Sequence, residues 1–130
     1  MTLYTRVGDH GVLWVAIGLG LWWWVRVATT VWGTLAVNYA VKRAVRRERP
    51  FVAGLVPAPS SHSFPSSHAA MSTAAAIVLS EARPELVPLW AALAGAMCLS
   101  RLYVGAHHAG DVAAGVALGA VTGGIALAVT

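Results

Sequence analysis

The residues best suited to chemistry lie between Ser100 and Asp111, in the stretch SRLYVGAHHAGD. His107 follows Arg101 by six positions and precedes Asp111 by four. Long apolar runs flank the stretch on both sides. A cation, an imidazole and a carboxylate are costly beside a membrane helix, and where they occur they tend to be functional. We therefore expect this stretch to form the centre of a reactive site.

Two further polar clusters are the expected partners of this stretch: KRAVRRERP at 42–50 and FPSSHAA at 64–70. The amides of residues 66–68 are predicted to lie at a helix N-terminus, where unpaired N–H groups and the helix dipole favour an anion. The pocket offers more donors than a carboxylate has acceptor sites, which favours a phosphate group. The expected phosphate ligands are Lys42, Arg49, Ser66, Ser67 and Arg101.

Two histidines, His68 and His107, are expected to face the same pocket. One neutral imidazole could attack phosphorus while the other, protonated, donates to the leaving oxygen. Asp111 is in reach to accept the Nδ1–H of His107 and leave Nε2 as the nucleophile, as the third member of a serine-protease triad does for its histidine. The predicted chemistry is phosphoryl transfer through histidine.

A metal mechanism competes with this prediction, and the supply of carboxylates weighs against it. A two-metal phosphatase needs several carboxylates, and the chain has only five Asp and Glu residues. Of these, Glu81 and Glu85 are expected at the opposite membrane face. We therefore predict a metal-independent reaction, with no metal and no cofactor.

The composition is that of a membrane protein. The chain is 58% hydrophobic and 11% charged, against about 25% charged residues in soluble domains. Its 13 glycines suit a bundle in which helices approach closely. Its length of 130 residues predicts a single domain, residues 1–130. No basic stripe with interleaved aromatic residues is present, so the expected partners are membrane lipid and a lipid phosphate, not nucleic acid.

The N-terminal apolar stretches, Gly11 to Val25 and Val27 to Val45, are short for two spans, because each span needs roughly 20 residues. A tight turn near Arg26 to Thr30 is one interpretation, and a single bent helix is the other. Residues 46–67 form the long loop. Ser66 or Ser67 is predicted to cap the next helix. The later helices are expected at His68 to about Ala82, Leu86 to Tyr103 and Asp111 to Val129.

The alternation of spans brings all three polar clusters to one side of the membrane. We therefore predict an all-α fold, a polytopic membrane helix bundle of about five transmembrane helices. A composite active site is expected at one membrane face.

The three clusters resemble the motifs of the type 2 phosphatidic acid phosphatase family, relatives of the vanadium haloperoxidases. The family motifs are K-x6-R-P, P-S-G-H and S-R-x5-H-x3-D, which are matched here at 42–50, 65–68 and 100–111. The one departure is Ser67, where the family usually has glycine. Because serine is small and keeps its amide, we expect the anion site to persist.

The resemblance implies specific roles. His107 would be the nucleophile that forms a phosphohistidine, His68 the general acid and Asp111 the residue that orients His107. The residues that would hold the phosphate are Lys42, Arg49, Ser66 and Arg101.

The resemblance also implies an activity, hydrolysis of a lipid phosphate monoester. The small size and the Gly/Ala-rich spans look most like bacterial members that act on polyprenyl-linked phosphates such as decaprenylphosphoryl-5-phosphoribose in cell-wall synthesis. Undecaprenyl pyrophosphate, phosphatidylglycerophosphate and phosphatidic acid remain alternative substrates. A non-enzymatic membrane scaffold is the alternative of another class.

Several polar residues outside the motifs receive other interpretations. Asn38 is expected to make a helix–helix hydrogen bond, and His62 and His108 to contact solvent or lipid headgroups. A collar that attracts anionic headgroups is predicted at Arg43, Arg46 and Arg47. The family places its site away from the cytoplasm, whereas the distribution of basic residues favours the opposite orientation. We expect a multi-pass protein of the cell membrane with an extracytoplasmic catalytic face.

Overall fold

The computed structural model describes residues 11–47, 62–103, 105 and 107–129. The described part of the chain contains five α-helices and no β-strand, which confirms the all-α class. A short 3-10 turn, Pro84–Leu86, precedes the fourth helix. In chain order the helices are α1 (Val12–Gly20), α2 (Trp24–Val45), α3 (Ser67–Ala82), α4 (Val87–Tyr103) and α5 (Ala109–Ala128).

Helix α3 lies at the centre of the bundle and contacts each of the other four helices. Ten of its 16 residues are buried. Alanines at 69, 70, 74 and 75 keep its surface narrow, so neighbouring helices pack closely around it. The helix predicted at His68 to about Ala82 is confirmed, with its start one residue earlier.

Helix α5 runs parallel to α3 and touches it through glycines spaced four residues apart. A Cβ atom at Gly115 would lie 2.5 Å from the Ser66 carbonyl oxygen, and one at Gly119 would lie 2.3 Å from the Ala70 carbonyl oxygen. Any side chain there would push the two backbones apart. The glycine spacing therefore brings the start of α5 directly against the start of α3.

Residues 11–45 form two helices, but the predicted position of the turn between them is wrong. The turn lies at residues 21–23, where Trp22 has a left-handed φ of 60°. The Trp23 amide donates to the Gly18 carbonyl at 2.8 Å and closes the end of α1. Residues 26–30 lie inside α2. Helix α1 has nine residues, which is shorter than the roughly 20 of a full span.

The outer surface of the bundle is apolar. The segments Pro84–Tyr103 and Ala109–Ala128 are long and apolar enough to cross a membrane by length and composition. Exposed large side chains such as Trp32, Leu99 and Ile125 point away from the core. This pattern suits a helix bundle surrounded by lipid, because lipid tails solvate such side chains.

A polar cluster closes the end of the bundle that lies away from the predicted site. Arg26 of α2 pairs with Glu81 of α3 at 3.1 Å and donates to the carbonyl of Ala126 near the end of α5 at 2.9 Å. Buried between the helices, Trp14 donates to the Ser72 hydroxyl at 3.2 Å. Glu81 thus lies at the end opposite the site, as the alternation of spans predicted.

Candidate active site

The three polar clusters meet at one end of the bundle, as predicted. Lys42, in the last turn of α2, donates from Nζ to the Pro65 carbonyl at 2.6 Å. The Ser66 amide donates to the Asp111 carbonyl at 2.9 Å, which joins the start of α3 to the start of α5. Arg101 lies in the last turn of α4. Pro65 thus joins the second cluster to the first, and Ser66 joins the second cluster to the third.

The start of α3 has the geometry of a capped helix. The Ser66 Oγ accepts the Ala69 amide at 3.3 Å, so Ser66 is the cap and Ser67 the first helical residue. The Ser66 amide was expected to face the anion, but its hydrogen bond to Asp111 removes it from that role. Ser67 and His68 are buried in the first turn, where the helix dipole favours an anion.

Two of the predicted phosphate ligands are buried cations. The exposed fraction is 2% for Lys42 and 0% for Arg101. Burying a cation is costly unless negative charge balances it. The carboxylate described at this end of the bundle, Asp111, is also fully buried. Arg49, the third predicted cation, lies outside the described residues. This end of the bundle therefore carries an excess of positive charge that suits a phosphate group.

The protonation of His107 follows from its hydrogen-bond partner. Its Nδ1 lies 2.8 Å from the carbonyl oxygen of Ser63. A carbonyl oxygen only accepts, so Nδ1 carries the proton in this contact. In the neutral ring the lone pair then belongs to Nε2. The site thus contains a buried imidazole whose Nε2 can act as a nucleophile.

Asp111 does not make the predicted hydrogen bond to His107. Its Oδ2 lies 4.0 Å from Nδ1, which exceeds hydrogen-bond distance. The same oxygen accepts the His108 amide at 2.7 Å, as part of a capping box at the start of α5. The direct partner of the imidazole is Ser63, while the carboxylate supplies negative charge near the ring.

Arg47 belongs to this site, although the sequence placed it in the headgroup collar. Its Nη1 donates to Oδ1 of Asp111 at 3.1 Å, and its guanidinium lies 4.8 Å from the centre of the Phe64 ring. Its backbone carbonyl accepts the Ser63 amide at 2.8 Å. One residue thus supports both groups that surround Nδ1 of His107.

Asn38 supports the same loop from α2. Its side chain donates to the Pro65 carbonyl at 3.3 Å and accepts the Ser67 hydroxyl at 3.0 Å. The expected helix–helix hydrogen bond is confirmed, because Ser67 belongs to α3. Its position four residues before Lys42, on the same face of α2, is a signal that could have pointed to the site. No such signal exists for Ser63, which acts through its backbone carbonyl.

Comparison with known proteins agrees with this geometry. A sequence model described as the PAP2 superfamily matches residues 13–130. The chain is 46% identical over 93 residues to a decaprenylphosphoryl-5-phosphoribose phosphatase of Mycobacterium tuberculosis, a match that covers 69% of this chain and 51% of the relative. It is 39% identical over 122 residues to the protein of that name from Mycolicibacterium smegmatis, covering 85% of this chain and 67% of the relative.

A solved structure with the same fold is also similar. It is the transmembrane PAP2-type phosphatidylglycerolphosphate phosphatase from Bacillus subtilis, with a TM-score of 0.81 and 27% sequence identity. The match covers 99% of this chain and 74% of that protein. The chain spans about half the length of the M. tuberculosis relative.

Proposed function

The chain belongs to the PAP2 superfamily, and from that premise we propose that it is a metal-independent lipid phosphate phosphatase. The observation that carries the proposal is the environment of His107. A carbonyl oxygen 2.8 Å from Nδ1 leaves Nε2 as the nucleophilic atom of a neutral imidazole. The buried cations Lys42 and Arg101 and the start of α3 lie at the same end of the bundle as His107, and together they would stabilise a phosphate.

The reaction proceeds in two steps. In the first, Nε2 of His107 attacks phosphorus, the ester P–O bond breaks, and His68 donates a proton to the leaving alkoxide. In the second, His68 takes a proton from water, which attacks the phosphohistidine and releases inorganic phosphate and neutral His107. The groups that hold the phosphoryl oxygens are Lys42, Arg49, Ser67, Arg101 and the hydroxyl of Ser66, whose amide is bonded to Asp111.

The proposed substrate is a phosphate monoester whose lipid tail remains in the bilayer. The names of the mycobacterial relatives favour decaprenylphosphoryl-5-phosphoribose, from which hydrolysis would remove the 5-phosphate. Phosphatidylglycerophosphate is the second candidate, because the structurally similar protein from B. subtilis carries that name. Undecaprenyl pyrophosphate and phosphatidic acid are the remaining alternatives. We place the protein in the cell membrane with the catalytic end facing away from the cytoplasm.

The test is phosphate release by the purified protein in neutral detergent with excess chelator. We expect release from decaprenylphosphoryl-5-phosphoribose that survives the chelator, because no step uses a metal. His107→Ala should abolish both release and the acid-labile phosphoenzyme trapped by rapid quenching, since Nε2 forms the covalent bond.

The matched control is His108→Ala, which removes a neighbouring exposed imidazole and keeps the backbone amide at the N-cap position of α5. This variant should retain most of the wild-type rate. Release that is lost with chelator, or that persists in His107→Ala, would contradict the mechanism. A protein that releases phosphate from no lipid would favour the scaffold alternative.

A further inference from the structure

A cavity of about 360 Å³ lies beside the candidate active site, at the end of α2. Its lining residues are Tyr39, Lys42, Arg43 and His62. The volume is within the range of pockets that bind small ligands. Of the four residues, only Lys42 belongs to a phosphatase motif, so the mechanism leaves the role of the cavity open.

Lys42 forms a wall common to the cavity and the phosphate site. Its Nζ donates to the Pro65 carbonyl at 2.6 Å and approaches the His62 carbonyl at 3.4 Å. The next residue, Ser63, holds Nδ1 of His107. The cavity and the predicted phosphate site are therefore neighbours, linked through Lys42 and residues 62–65.

The three arginines predicted to form a collar have different environments. Arg47 pairs with Asp111, and Arg46 is exposed with its Nε donating to the Arg43 carbonyl at 3.0 Å. Of these three, Arg43 is the one that lines the cavity. Tyr39 precedes it by four residues and so lies on the same face of α2.

This lining suits an anionic group rather than a hydrocarbon tail. Arg43 offers a planar set of donors that matches two phosphoryl oxygens at once. Tyr39 supplies a phenol donor, and its ring offers an apolar face for the carbons between two phosphates. Lys42, from the same helix, adds a second cation, and His62 adds a further polar side chain.

We propose that the cavity lined by Tyr39, Arg43 and His62 binds a phosphodiester of the substrate, one polyol away from the phosphate monoester that is cleaved. The proposal rests on the proposed function. Decaprenylphosphoryl-5-phosphoribose has such a diester across its ribose, and phosphatidylglycerophosphate has one across its glycerol. Phosphatidic acid has no diester, and a pyrophosphate has no polyol between its phosphoryl groups. The cavity therefore favours the first two classes of lipid.

The test compares Arg43→Gln with Arg46→Gln in neutral detergent that contains no anionic lipid other than the substrate. Both variants remove one exposed positive charge from the same end of α2, so Arg46→Gln is the matched control. The substrates are decaprenylphosphoryl-5-phosphoribose, phosphatidylglycerophosphate and phosphatidic acid. We expect Arg43→Gln to raise KM about 10-fold for the two diester lipids, as loss of one charge-assisted contact would. Its kcat should stay within about twofold of wild type, because the diester does not react.

The remaining outcomes separate the alternatives. KM for phosphatidic acid should be unchanged in Arg43→Gln, and Arg46→Gln should match wild type on all three lipids. A larger effect with one diester lipid than with the other identifies which polyol the cavity accommodates. Equal losses on all three lipids, or no loss on any, would overturn the subsite while leaving the phosphatase intact. A wild-type protein inactive on every lipid would overturn the proposed function and the subsite with it.

Tyr39→Phe provides an independent measurement, because it keeps the ring and removes one donor. We expect a smaller rise in KM, about threefold, confined to the diester lipids. A rise of equal size for phosphatidic acid would mean that Tyr39 affects the common phosphate site, which contradicts the proposal.

Discussion

At the residue scale, two groups beside His107 share the role that one carboxylate has in a catalytic triad. The Ser63 carbonyl accepts the Nδ1 proton at 2.8 Å and sets the ring orientation. Asp111 lies 4.0 Å from the same nitrogen and contributes negative charge. In the proposed mechanism that charge would stabilise the imidazole as it becomes positive on attacking phosphorus. In a serine-protease triad one carboxylate does both.

This division predicts a moderate effect of Asp111→Asn. The ring keeps its partner at Ser63, but the developing positive charge loses a nearby carboxylate. We expect kcat to fall by roughly 10- to 100-fold, below the loss of about 10⁴ known when a triad aspartate is neutralised. KM should change little. Steady-state kinetics with the lipid substrate measures both quantities, and a near-normal kcat would remove Asp111 from the mechanism.

Arg47→Gln tests the outer contact of the same carboxylate. The variant removes the ion pair with Asp111 and the contact with Phe64 but keeps the carboxylate. Because Arg47 is partly exposed, we expect a smaller loss in kcat, less than about 10-fold. A loss as large as that of Asp111→Asn would show that the ion pair, rather than the carboxylate charge, is what the reaction needs.

At the element scale, the site depends on the close parallel contact between α3 and α5. The cap of α3 and the start of α5 are joined by the hydrogen bond between Ser66 and Asp111. Glycines at 115, 119 and 123 hold the two backbones at this separation. A change in the distance between these helices therefore changes the position of Asp111 and His107 relative to the phosphate site.

We expect Gly119→Ala to destabilise the protein, although alanine is the better helix former. Its Cβ would lie 2.3 Å from the Ala70 carbonyl oxygen, an overlap that costs about 1–3 kcal/mol. Gly124→Ala is the matched control, because no atom lies within 4 Å of a Cβ built there. Thermal unfolding in detergent should show a lower midpoint only for Gly119→Ala. Equal midpoints would mean that α5 tolerates displacement from α3.

At the scale of the whole molecule, the two ends of the bundle are chemically different. One end gathers the buried cations Lys42 and Arg101 with His68 and His107, and the other is closed by the Arg26–Glu81 ion pair and the short turn that contains Glu85. Net charge is +4 over the chain. Because these ends lie on opposite sides of the bundle, the orientation in the membrane decides which compartment supplies the substrate headgroup.

We expect a cysteine at Arg46→Cys to react with an impermeant maleimide in intact cells, and one at Glu85→Cys to react only after lysis. Both positions are exposed and lie at opposite ends. The background is Cys98→Ala, which removes the native thiol. The reversed pattern would place the catalytic end in the cytoplasm, as the distribution of basic residues favours.

Much of this organisation could be predicted from sequence. Successive apolar helices cross a membrane in alternating directions. The helix ends that carry Lys42, His68 and Asp111 therefore lie on the same side. The glycines of α5 and the alanines of α3 are typical of close helix packing. Gly18 and Gly20 precede the turn at residues 21–23, but the tryptophans followed by Arg26 indicate a membrane interface and so favour a turn further along the chain. The left-handed conformation of a tryptophan has no signal in residue type.

The contacts within the site were decided by tertiary structure. Residue types and spacing identified His107 and Asp111 as neighbours, because they are four positions apart in the sequence. Which oxygen meets Nδ1 depends on the path of the loop before α3, and Ser63 presents a backbone carbonyl that every residue has. In the same way, Arg43, Arg46 and Arg47 are indistinguishable in sequence. In the structure Arg43 lines a cavity, Arg46 is exposed and Arg47 pairs with Asp111. The backbone at the end of α2 decides these three directions.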